Sequence, residues 1–183
     1  MEHKERQTLA VLVDNESGVL SQVSRLFSRK GYNIESLAVG TTDDPKVSRI
    51  TIEVIADEAR VTLLCNQLRK LFPVHSIKRL NPQNSIRREL VLIKIHAANN
   101  EARNEIIQIA NIFRASIIDV SLDTLTLAII GDEEKNDALQ NLLQQRGIME
   151  LVRTGVVALE RGNSTINEDT KVKGEFNYGK NVL

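Results

Sequence analysis

The chain has 183 residues, enough for one medium domain or two small ones. Lys plus Arg balance Asp plus Glu at 24 each and aromatics make up 3%, which argues against a basic field for nucleic acid and against a stacking platform for single strands. Cys65 is the only cysteine, no apolar run reaches spanning length, and Met1 to Arg6 is charged without a signal-peptide core, so a reducing, cytoplasmic setting with no membrane partner is expected.

The first apolar run, Leu9 to Val13, has strand length. The corner Asp14-Asn15-Glu16-Ser17-Gly18 follows, with three good capping types and a glycine. It predicts a helix from about Ser17 to Lys30, with Val19, Leu20, Val23, Leu26 and Phe27 on one stripe. Such a corner leaves backbone N–H groups without intrahelical partners, and a carboxylate or phosphate suits them. Gly31 fits a left-handed helix end, and strands are expected near 33–41 and 48–56 around the polar turn Thr41 to Lys46. Asp57-Glu58 caps a second helix carrying Val61, Leu64, Cys65, Leu68 and Leu71. Phe72-Pro73 stops it, and Val74 to Leu80 reads as a strand. The order is βαββαβ, a ferredoxin-like α+β arrangement.

Asn81 to Ser85 is a polar, proline-bearing break, and the same grammar restarts beyond it. Glu89 to Ala97 reads as a strand and Asn99-Asn100 as a cap, before a helix with Ala102, Ile106, Ile109, Ala110 and Phe113. Ser116 to Ser121 and Thr124 to Ile130 form a hairpin turning at Leu122-Asp123. Gly131-Asp132-Glu133 opens a fourth helix bearing Ala138, Leu139, Leu142 and Leu143, Gly147 ends it, and Ile148 to Leu159 is the last strand. The expected division is 7–81 for the first unit, 82–87 for a linker, 88–160 for the second and 161–183 for a polar, flexible tail.

No catalytic or metal constellation assembles from these residues. His75 and His96 stand alone on predicted strands, and Cys65 lies on a buried stripe with no basic neighbour on its face. Asp43-Asp44 is turn chemistry, phosphate-loop and nucleophile-elbow strings are absent, and Arg87-Arg88-Glu89 and Glu133-Glu134-Lys135 read as solvated or edge-protecting runs. What remains is recognition of a small zwitterion. The helix corner offers donors for a carboxylate near Asn15 to Leu20, and Asn33 with Ile34 offers an amide beside apolar surface.

NESG at 15–18, GYNIESL at 31–37 and TDDP at 42–45 together resemble the amino-terminal ACT domain of the small, regulatory subunit of acetohydroxyacid synthase (acetolactate synthase). The likeness covers about residues 7 to 162, ending in TGVVALERG, and implies an ACT domain followed by a second ferredoxin-like domain. It implies a non-catalytic subunit that activates a separate catalytic chain and confers feedback inhibition by valine. Thiamine diphosphate, magnesium and FAD would belong to that partner, with none in this chain. In such regulators two ACT domains pair, so a homodimer is implied, with Asn15, Gly18, Val19 and Leu20 of one copy meeting Asn33 and Ile34 of the other. The alternatives are a stand-alone amino-acid-binding ACT-repeat regulator of another target and, less in keeping with the composition, an RNA-binding ferredoxin-like module or a small enzyme.

Overall fold

The computed structural model describes residues 4–169. The first unit runs β1 (Glu5–Asp14), α1 (Val19–Arg29), β2 (Ser36–Thr41), β3 (Val47–Ala56), α2 (Glu58–Leu68) and β4 (Val74–Leu80). The second runs β5 (Ser85–His96), α3 (Asn100–Phe113), β6 (Ser116–Val120), β7 (Thr124–Gly131), α4 (Glu133–Gln144) and β8 (Ile148–Arg153). A short strand, β9 (Val157–Glu160), follows. The sheets are antiparallel, ordered β2-β3-β1-β4 and β6-β7-β5-β8, so two ferredoxin-like α+β units stand in tandem as the sequence implies.

Alternation along the strands sets both cores. Leu9, Val11, Val13, Ile50, Ile52 and Val54 point at α1 and α2, whose stripes supply Val23, Leu26, Phe27, Val61, Leu64 and Leu68. Val91, Ile93, Ile95, Leu125, Leu127 and Ile129 do the same beneath α3 and α4. Each fully buried side chain of this size contributes about 1.5–3 kcal/mol.

The two sheets differ on their other faces. In the first unit Ala10, Leu12 and Leu80 are also buried, covered by Val156, Ala158 and Ile166 from the end of the described chain. The unbroken apolar run of β1 is thus that of a strand buried on both sides. Among the described residues no such cover lies on the second sheet, where Ile130 and Val152 are exposed.

Several expectations need correction. The last strand is not continuous from Ile148 to Leu159. It breaks at Thr154–Val156, where Gly155 takes φ 81, so that β8 pairs with the later part of β5 and β9 with Ser85–Arg88. Residues 82–87 contain a 3-10 turn, Pro82–Asn84, and the first residues of β5. The start of the expected tail is ordered. A 3-10 turn, Ile166–Asp169, docks on β4, with Ser76 Oγ donating to the Ile166 carbonyl at 2.8 Å and Lys78 Nζ to the Thr165 carbonyl at 3.1 Å. The remainder, 170–183, lies outside the described residues.

Arg87 and Glu89 are not solvated. Glu53 is wholly buried and its carboxylate accepts from Thr8 Oγ1 at 3.0 Å, from Arg6 Nη1 at 3.2 Å and from the Arg87 guanidinium. Arg6 also pairs with Glu133 of α4 at 3.1 Å. Arg153 pairs with buried Glu89 and with Asp137. Glu53, Thr8 and Ser36 occupy register-matched positions on one face of the first sheet, so this ionic cluster lies between the two units.

Candidate functional site: the corner before α1 and the loop before β2

The corner does not cap its helix as anticipated. The N-cap is Gly18, in the left-handed region at φ 85, and no side chain closes the cap. The reason lies in Asn15, whose amide is committed elsewhere. Its Nδ2 donates to the Pro45 carbonyl at 2.9 Å, its Oδ1 accepts from Ser48 Oγ at 3.0 Å, and its backbone N–H donates to Lys46 at 2.7 Å. Asn15 therefore ties the corner to the β2–β3 turn. A left-handed glycine then turns the chain into α1, and a Cβ built on it meets nothing within 4 Å.

The other three helices are closed. Asp57 accepts from Arg60 N–H at 2.8 Å, Asn99 from Ala102 N–H at 2.8 Å and Asp132 from Lys135 N–H at 2.9 Å. Each of those helices carries an acidic residue in its first turn, and α1 carries none. The first-turn N–H groups of Leu20 and Ser21 have no intrahelical acceptor, while Gln22 already bonds the Gly18 carbonyl. Val19 is buried in the core, and Leu20 is 41% exposed beside the open donors. Donors, a positive helix end and an exposed leucine together suit a carboxylate bearing an aliphatic group.

Asn33 and Ile34 are not on a strand. They lie in the loop before β2, which starts at Ser36. Asn33 is exposed, its Nδ2 bonding Glu35 Oε1 at 2.6 Å, and Ile34 packs partly against the first core. One chain does not bring the two groups together. Ser36 pairs with Glu53, which also pairs with Thr8, whereas the corner follows Asp14 at the far end of β1. At ~3.4 Å per residue that separation is about 20 Å along the strands.

His75 and Cys65 have structural surroundings that the sequence does not show. His75 is not solitary: its Nε2 lies 2.6 Å from Asp14 Oδ1, bracing β4 against the corner. Cys65 does have basic neighbours in Arg69 and Arg79, yet burial outweighs them and pushes its thiol above the usual range. Among the described residues no group of three or more His, Cys, Asp or Glu could hold a metal ion, and no helix is long and apolar enough to cross a membrane. A separate open groove of about 440 Å³ lies between β2 and β9, with Val39, Arg49, Ile86 and Leu159 in its walls.

Two tandem ferredoxin-like units, the first with an uncapped helix corner, define a two-domain protein of the ACT type. Residues 9–76 match the model described as an AHAS small subunit-like ACT domain, and 88–162 that described as the small subunit of acetolactate synthase. The chain belongs to the family of acetolactate synthase small subunits. It is 46% identical to the acetolactate synthase small subunit of Mycobacterium leprae over 155 residues, covering 85% of this chain and 91% of that one. It is 41% identical to that of Haemophilus influenzae over 162 residues, covering 88% and 99%. The crystal structure of the acetolactate synthase small subunit from Thermotoga maritima superposes with a TM-score of 0.82 at 37% identity, covering 87% of this chain and 99% of that one.

Proposed function

We propose that this chain is the non-catalytic regulatory subunit of acetolactate synthase, activating a separate catalytic chain and conferring feedback inhibition by valine in branched-chain amino acid biosynthesis. The observation that carries the ligand reading is the open N-terminus of α1, unlike the three closed helices, with Leu20 beside it. Valine places its carboxylate on the first-turn N–H groups and its isopropyl group against Leu20 and Ile34. The Asn33 amide of a second copy receives the ammonium group.

The functional unit is then a homodimer, because the two half-sites of one chain stand at opposite ends of its sheet. First strands do not pair across that interface, since β1 is interior to the order β2-β3-β1-β4. The outer strands β2 and β4, or the helices, are what a second copy meets. Thiamine diphosphate, magnesium and FAD belong to the catalytic chain in this reading, and the complex works in the cytoplasm.

The test mixes the purified chain with its catalytic partner and follows acetolactate formation with and without valine. The expected result is no synthase activity from this chain alone, activation of the partner, and loss of that activation as valine is added. Pyruvate condensation by this chain alone would overturn the proposal.

A further inference from the structure

The loop bearing Asn33 and Ile34 leads into a contact with the second domain. Ser36, the first residue of β2, accepts the Val156 N–H on its Oγ at 2.8 Å. Gly155 sits against the same spot. Its φ is 81, and a Cβ there would lie 3.0 Å from the Leu37 carbonyl oxygen and from Ser36 Oγ. Val156 leads directly into β9, which lies over the first sheet and whose Ala158 carbonyl accepts from Arg49 at 2.7 Å. One residue before Ser36, the Glu35 N–H bonds the Glu53 carbonyl at 2.9 Å.

These links differ in strength. Glu53 is held by Arg6, Thr8 and Arg87 in a fully buried, charge-assisted cluster, which makes it a fixed point. The Ser36 to Val156 link is one neutral hydrogen bond next to a left-handed glycine, worth about 0.5–1.5 kcal/mol.

We propose that Ser36 and the Gly155–Val156 break form the relay between effector site and second domain: movement of the 33–35 loop on effector binding is passed through Ser36 to β9, pivoting about Glu53. This rests on the regulatory reading above and adds the route by which occupancy leaves the first domain. The two arrangements of the relay are Ser36 Oγ engaged with Val156 and Ser36 Oγ released, and the effector acts by favouring one of them.

Amide hydrogen exchange on the full-length protein tests the relay without any ligand. In Ser36→Ala the β9 amides that face β5, those of Val157 and Leu159, should exchange about two- to tenfold faster, the factor expected from loss of one neutral hydrogen bond, while those of Ile50 to Val54 stay as in the wild type. Ser36→Thr keeps the acceptor and should restore slow exchange. Unchanged exchange at Val157 and Leu159 in Ser36→Ala overturns the relay. A second arm adds valine: Ser36→Ala should bind it within about threefold of wild type by calorimetry, yet saturating valine should inhibit the catalytic chain less. Equal binding with full inhibition also overturns the relay. Failure of the wild type to bind valine counts against the effector reading instead, and the ligand-free exchange still decides the contact.

Discussion

The Arg87 guanidinium, on the first residues of β5, reaches the Glu53 carboxylate at the centre of the first sheet, where no solvent touches the acid. Thirty-four positions apart in sequence, they fasten the two domains at a buried charge. Removing one member strands the others, and breaking a buried pair in this way costs about 3–5 kcal/mol. Glu53→Ala, which takes the carboxylate from Arg87 and leaves Arg6 only Glu133, should approach that range in urea unfolding. Arg87→Ala should cost less, about 1–3 kcal/mol, because Arg6 and Thr8 still satisfy the acid. Equal losses would mean that Arg6 contributes nothing to holding Glu53.

Gly18 separates strain from charge. Any L side chain there meets open space but must adopt φ 85, so Gly18→Ala and Gly18→Asp should both cost about 1–2 kcal/mol of stability. Only the aspartate places a carboxylate beside the first-turn N–H groups. With valine's carboxylate seated there as proposed, losing one or two charge-assisted bonds, at ~1.5–3 kcal/mol each, should raise the valine concentration for half inhibition at least about tenfold. Valine inhibition curves for the two variants check this. Equal shifts would assign the effect to backbone strain.

The two asparagines should behave differently. Asn15→Ala removes the bonds to Pro45 and Ser48, loosening the corner, so a thermal-stability loss of about 1–2 kcal/mol should accompany a weaker valine response. Asn33→Ala removes only an exposed bond to Glu35, and its melting temperature should stay near wild type while valine sensitivity falls. Calorimetric melting beside valine titration distinguishes the two.

Cys65 gives a pH signature. Burial raises its folded-state value above the ordinary 9.0, so the unfolded chain releases the thiol proton first. The stability associated with the neutral thiol is intact below about pH 9 and falls as pH rises through the folded value, by at most ~1.4 kcal/mol per pH unit. Urea unfolding between pH 8 and 10 should show that slope in the wild type and a shallower one in Cys65→Ala. Parallel slopes would place the titrating group elsewhere.

Most elements could be read from apolar periodicity, because α1 to α4 and their strands carry regular stripes ended by Gly31, Pro73 and Gly147. Two of the misreadings share a cause, a partner distant in sequence. Arg87-Arg88-Glu89 looks solvated until Glu53 is placed opposite it. Asn15 looks like a cap until Pro45 claims its amide. Signals for some of this were present. Leu9 to Val13 is apolar at both parities, which calls for cover on a second face, and Thr154-Gly155 interrupts the last apolar run where β8 gives way to β9. Glu53 within the alternating β3 likewise marks a buried acid in need of bases.

The cover of the first sheet has a consequence for synthesis on the ribosome. All four strands and both helices of the first domain exist once Leu80 has been made, but Val156, Ala158 and Ile166, which bury Ala10, Leu12 and Leu80, come near the end of the described chain. At ~5–20 residues per second, on the order of 4–17 s separate Leu80 from Ile166. During that interval the nascent first domain has its helices packed and its other face bare. A chaperone or a neighbouring nascent chain can reach that face only in those seconds, and the closing segment ends the exposure when it arrives.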